Sequence, residues 1–338
     1  MSRRFGDGAR RRLGRSSGSA VVVVGTVLVF AIPSAAADPQ PSAVIERART
    51  ASSETTIAGT IEVQWLDDGQ YRVERAGARA DGSGFVVGRG DRRAVGENGV
   101  RWSADGGESV EWGSTPNASL PDPDAAWDLD LGESTSVAGR AAVVVRALDD
   151  GGRVRARFFV DEATDVLLRR DVLDRDGAIV RSVRFTQVRL GDGAPAVPRP
   201  PEPAPPPSDV EEIPGSFPAP VRLEPGFVLL GRYPRADGAI QLFYADGLFT
   251  LSVFEQAGIV DWPGIPDGGV RGEVDGNRAD TFATASGTVV VWGADGTVLT
   301  AVSDAPPDTV AAALESFTAS RGFLPRVADF VLGPFGWD

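Results

Sequence analysis

Tight-turn signals recur along this chain, and between them lie runs of strand length. Asp68-Gly69, Asp81-Gly82, Asn98-Gly99, Asp105-Gly106, Asp150-Gly151 and Asp176-Gly177 come first, and Asp237-Gly238, Asp246-Gly247 and Asp295-Gly296 follow. Asp-Gly and Asn-Gly accept the positive φ angles that two-residue hairpins need. The runs 59–65, 71–75, 85–88, 141–148, 153–160, 166–173 and 179–190 read as strands. So do 227–233, 240–244, 248–255, 288–292 and 298–302. The pattern predicts an α+β chain that is mainly antiparallel β. The segment 153–158 alternates strictly, which places Arg153, Arg155 and Arg157 on one face and apolar groups on the other.

Two helices break the β pattern. Val44, Ile45 and Ala48 give one apolar face, with Ser42 as the expected N-cap. Val310, Ala313, Leu314 and Phe317 recur at helical spacing after Pro306 and Pro307, and Gly322 is the expected stop. Each helix is placed to cover a sheet.

The run APAVPRPPEPAPPP over 194–207 favours extended polyproline conformations and acts as a spacer. Residues 1–37 read as a signal peptide. They combine Arg3, Arg4, Arg10, Arg11, Arg12 and Arg15, an apolar run over 20–32, and Ala35-Ala36-Ala37 before Asp38. The alternative is an uncleaved N-terminal anchor. The expected organisation is a signal peptide 1–37, an N-terminal domain 38–191, a Pro-rich linker 192–214, a C-terminal domain 215–322 and an apolar tail 323–338.

Composition removes most enzyme classes. The chain has no Cys, no His and no Lys; all 34 basic residues are Arg against 47 acids, and the net charge is −13. Mechanisms with a His base, a Cys nucleophile or a Lys Schiff base are excluded, as are the usual zinc sites. Loss of residues 1–37 removes six Arg and one acid, so the mature chain is more acidic still. That charge argues against nucleic-acid binding. Asp122, Asp124, Asp128 and Asp130 cluster around Trp127, but without calcium-loop spacing they read as a solvated loop. No cofactor and no metal are expected. The aromatics Trp65, Tyr71, Phe85, Trp102 and Phe158 are candidates to line an apolar cavity, with an ordinary core as the alternative.

Certain segments resemble a known family. Val137-Ala138-Gly139-Arg140 leads into an apolar strand. Phe158-Phe159-Val160-Asp161, Thr164, Leu167-Leu168-Arg169, Gly177 and Phe185-Thr186 follow in order. This grammar is similar to the N-terminal domain of the sigma-E regulatory protein family RseB/MucB, and to LolA-type carriers. Glu224-Pro225-Gly226-Phe227, Tyr244-Ala245-Asp246-Gly247-Leu248 and Ser252-Val253-Phe254 resemble the RseB C-terminal domain. The Arg-only, Ala/Gly/Val-rich composition suggests an actinobacterial member.

The resemblance implies a large curved open sheet, a LolA-like half-barrel with covering helices, plus a smaller C-terminal sheet-and-helix domain. It implies an exported, non-enzymatic regulator that binds the extracytoplasmic segment of an anti-sigma factor and protects it from proteolysis. An acyl or lipid ligand in the N-terminal cavity would control release. Candidate partner contacts are Arg153, Arg155, Arg157, Phe243, Tyr244, Phe249 and Phe254. A lipid or lipoprotein carrier and a carboxylate-based hydrolase remain alternatives.

Overall fold

The computed structural model describes residues 40–81, 84–89, 92–96, 99–103, 109–114, 120–191, 219–234 and 238–319, with backbone alone between 81 and 114. Residues 1–37, 192–214 and 323–338 lie outside them, as do Gly322 and the side chains of Phe85 and Trp102.

α1 (Pro41–Glu54) comes first. The first run of strands is β1 (Ile57–Asp67), β2 (Gln70–Asp81), β3 (Gly84–Arg89), β4 (Arg92–Gly96), β5 (Gly99–Ser103), β6 (Ser109–Ser114), β7 (Asp128–Leu131), β8 (Thr135–Val137), β9 (Arg140–Leu148), β10 (Val154–Asp161), β11 (Leu167–Leu173) and β12 (Ile179–Leu190). The second run is β13 (Arg222–Leu223), β14 (Phe227–Pro234), β15 (Ile240–Ala245), β16 (Thr250–Ala257), β17 (Val270–Val274), β18 (Asn277–Thr284), β19 (Gly287–Ala294) and β20 (Thr297–Ser303), closed by α2 (Pro307–Ala319).

The first run makes a 12-stranded antiparallel sheet ordered β6-β5-β4-β3-β2-β1-β12-β11-β10-β9-β7, with β8 paired to β9. The path is open, ending at β6 and β7. The second run makes an 8-stranded sheet ordered β13-β14-β15-β16-β20-β19-β18-β17. Mainly antiparallel β with two helices is the class that the turn signals predicted. Asp68-Gly69 (φ 46 and 69) and Asp295-Gly296 (φ 49 and 74) make the expected left-handed pairs between β1 and β2 and between β19 and β20. Non-local pairing brings β12 against β1, from Ile57↔Leu190 to Trp65↔Arg181, with an irregularity between Thr60 and Ile61.

α1 buries Val44, Ile45 and Ala48, as its periodicity predicted. Its N-cap is Gln40, with Pro41 in the first turn and no side-chain cap bond; Ser42 is inside the helix, so the expected Ser42 cap is corrected. Proline at that position needs no N–H partner and presets φ, which removes the need for a hydroxyl cap. α1 touches β2 on one side and β7, β9, β10 and β11 on the other more than β1 and β12 between them, the arrangement of a sheet bowed around a helix.

In the second sheet, Leu242, Tyr244, Val253, Ala301, Val290 and Trp292 are buried, and so are Val310, Ala313, Leu314 and Phe317 of α2. One continuous apolar cluster joins these residues to Val44, Trp127, Val145, Phe158 and Val172 of the first sheet and its helix. The two sheets therefore share a core.

Candidate functional site

The junction between the sheets holds a cluster of charged groups, with Arg155 and Asp246 buried in it. The Arg170 guanidinium of β11 lies 5.5 Å from the Phe158 ring and 4.7 Å from the Phe249 ring. It donates to the Leu248 carbonyl at 3.0 Å and to the Asp304 carboxylate. Asp304 also accepts from the Thr250 backbone N–H at 2.7 Å. Arg181 of β12 donates to the Ala285 carbonyl at 2.9 Å. Asp308, in the first turn of α2, takes Arg155 and Arg175, each at 2.6 Å. An acid there also complements the helix dipole.

Close approach at this junction needs glycine. Gly247 has φ +96, and a Cβ on it would stand 2.7 Å from the Pro123 Cα. That contact lets Phe249 meet Trp127 edge-on, with centroids 5.4 Å apart. Asp246, 2% exposed, turns the chain by accepting the Leu248 and Phe249 N–H groups at 2.9 and 2.7 Å.

Burial pushes the Asp246 carboxyl up to about 6, despite those two N–H groups, and the Asp304 charge adds to the rise. Burial also pushes Asp304 up, but Arg170, the Thr250 N–H and Arg181 outweigh it and hold that carboxyl below its usual range. Burial, with Arg170 beside it, lowers Arg181 to about 10, partly countered by Asp304.

The outer face of the first sheet carries a second charged set. Glu62 on β1 is 4% exposed and binds Arg75 of β2 at 2.7 Å and Arg184 of β12 at 2.6 Å. Hydrogen bonds from Arg184 and then Arg75 hold its carboxyl below the usual range. Asp171 of β11 binds Arg169 at 2.7 Å and accepts from Ser182 at 2.6 Å. Further along this face lies a slot of about 380 Å³ lined by Ala58, Gly59, Thr60, Gly77 and Gln187, with Arg79 and Arg189 at its sides.

The residues singled out from sequence fall in different places. Phe158 is 6% exposed and belongs to the core, packed against Arg170. Trp65 is half-buried on β1. Tyr71 is 51% exposed, and its hydroxyl donates to the Ile179 carbonyl at 3.1 Å, so it lines no interior cavity.

Phe243, Tyr244 and Phe249 are buried, and they are corrected from partner contacts to core residues of the second sheet. For Phe243 and Tyr244 the reason is that β15 is buried along nearly its whole length, not on alternate residues, and Phe249, in the turn before β16, is covered by Trp127 and Arg170. Phe254 is half-buried.

The three-arginine stripe is corrected too. β10 shifts register against β9 between Val154 and Ala156. Arg155 turns into the junction at 3% exposure, Arg153 binds Asp149 at 3.1 Å, and Arg157 stays on the outer face opposite Asp171. A bulge resets side-chain direction in a way that alternation alone cannot reveal.

Sequence reasoning passed over Glu62, Asp304, Arg79 and Arg189. Glu62 had a signal, as a lone acid in the apolar run 57–65. Among the described residues no cluster of acids could hold a metal ion. Asp122 instead accepts from the Asp124 N–H at 3.1 Å, and Asp130 binds Arg146 at 2.5 Å. No helix of the described residues is long and apolar enough to cross a membrane.

Residues 106–208 match the family model of the MucB/RseB N-terminal domain. No curated protein matches the chain. Among solved structures, the chain is similar to MucB in complex with MucA(peri), at 19% identity and TM-score 0.47, covering 86% of this chain and 100% of that one. It is also similar to the MucA/MucB complex of Pseudomonas aeruginosa, at 19% identity and TM-score 0.48, covering 85% and 99%. A LolA superfamily protein of Nitrosomonas europaea is similar at 7% identity and TM-score 0.22, covering 78% and 91%.

Proposed function

We propose that this chain, which carries a domain of the MucB/RseB family, binds the exported segment of an anti-sigma factor outside the cytoplasmic membrane and shields it from proteolysis. The observation that carries the reading is the match of 106–208 to the MucB/RseB N-terminal domain. It is supported by a second sheet welded to the first through Arg155, Arg170, Arg175 and Arg181, a construction that a one-domain carrier does not need.

The activity is binding. With no His, Cys or Lys in the chain, recognition falls to apolar contacts and to arginines, whose planar guanidinium groups suit carboxylates. Lipid sensing is part of the same proposal. Among the described residues α1 buries Val44, Ile45 and Ala48 against the first sheet, so an acyl chain entering at that place would displace α1. A ligand acting this way shifts the population towards a state with lower partner affinity, and the partner lowers ligand affinity by the same factor. The organisation proposed remains an exported chain with domains 38–191 and 215–322.

The experiment is a pull-down of the exported segment of a single-span anti-sigma factor from the same organism, followed by its proteolysis with and without the protein. Retention of the segment and slower cleavage are expected. Absence of binding well above micromolar concentrations would overturn the regulator reading in favour of a carrier.

A further inference from the structure

The outer face of the first sheet repeats one arrangement twice, and only one copy is complete. Glu62 on β1 is the register partner of Arg75 on β2 and of Arg184 on β12, and both arginines close on its carboxylate. Two rows along the same face, Ala58 is the register partner of Arg79 on β2 and of Arg189 on β12. The flanking strands again supply two guanidinium groups. The central strand now supplies a methyl group where the first copy has a carboxylate.

Arg79 and Arg189 are both exposed, and no described acid pairs with either. The neighbouring acid, Glu62, is already bound on both sides. In a chain of net charge −13, two such arginines flanking one slot are a local exception. Small side chains keep the slot open at about 380 Å³, more room than a lone carboxylate fills. Thr60 and Gln187 beside it offer neutral hydrogen-bonding groups of the kind an extended backbone uses.

We propose that Arg79 and Arg189 form a two-pronged docking site for a carboxylate carried by an acidic, extended segment of a partner polypeptide, taking the place that Glu62 holds in the complete copy. The planar carboxylate matches the guanidinium fork, and the small-residue floor lets the incoming chain approach the sheet. The site stands apart from the anti-sigma reading, and either can fail without the other.

The test titrates the full chain at low salt with a capped peptide of about ten residues bearing Glu at alternate positions. We expect saturable binding that weakens with added salt, a tenfold or greater loss with either Arg79→Ala or Arg189→Ala, and no binding of the matching Gln peptide. Ala58→Glu should supply the missing carboxylate from within, raising the unfolding midpoint and blocking the peptide. If that variant does not fold, the two exposed arginine variants decide alone. Undiminished binding to the double arginine variant would overturn the proposal. So would absence of binding to the unmodified protein, or displacement by inorganic phosphate at concentrations equal to the peptide's.

Discussion

Arg155 and Asp308 are 153 residues apart in sequence and joined at 2.6 Å, with the arginine side chain 4% exposed. The first strand of an arginine-bearing hairpin is thus tied to the opening turn of the last helix. Removing the guanidinium leaves Asp308 with Arg175 alone, and Asp149 loses a contact at 3.3 Å. Arg155→Ala should cost about 3 kcal/mol, the scale of breaking a buried pair. Urea unfolding would measure it. A cost below about 1 kcal/mol would mean that the junction contributes little.

The pH dependence follows from Asp246. Its carboxyl is raised from 3.8 to about 6, so the folded state holds the proton more tightly than the unfolded one. Its contribution is fully present below pH 3.8 and is lost as pH rises through about 6. Glu62, Asp161 and Asp304 are shifted the other way; they lose their contribution only as pH falls below the normal carboxylate range. Between pH 5 and 7 stability should therefore fall, within a limit of about 3 kcal/mol set by the size of the shift. Asp246→Asn should flatten the slope of denaturation midpoint against pH over that interval. An unchanged slope would locate the titration elsewhere.

Gly59 stands where β1 meets the irregular part of β12. A Cβ there would lie 2.1 Å from the Gln187 backbone oxygen, whereas a Cβ on Gly272 of the edge strand β17 meets nothing within 4 Å. Gly59→Ala should cost about 2–3 kcal/mol through strain. Gly272→Ala should be neutral or stabilise by up to about 1 kcal/mol. Thermal melts of the two variants side by side would show the contrast, and equal midpoints would contradict it.

The shared core makes a prediction about the Pro-rich spacer. A protease site inserted within 194–207 and cut in the folded protein should leave two pieces that still co-elute. Trp127 on Phe249 and the four crossing arginines hold them without the covalent link. Separation of the pieces on a sizing column would show that the contacts are weaker than their burial suggests.

Local structure was readable where chemistry is local. Asp68-Gly69 and Asp295-Gly296 announced their hairpins, and Val44, Ile45 and Ala48 announced their buried face. The short polar strands β7, β8 and β17 were not readable, since Val270-Arg271-Gly272-Glu273-Val274 carries little apolar signal and is mostly exposed. Nor was the fate of the arginines. Arg155 depends on a register shift, and Arg184 meets Glu62 from 122 residues away. Both outcomes are set by long-range strand pairing, which no window of sequence contains.

That pairing also dictates when the protein can finish folding. β1 has β2 on one side from the start, but its other edge waits for β12, so Ile57 stays without its partner until Leu190, 133 residues later, has been made and has come back to it. Throughout that interval a strand edge with apolar residues is open to wrong partners. High contact order of this kind slows folding, and the longer the chain takes to close this pair the longer it stays exposed to mispairing and association.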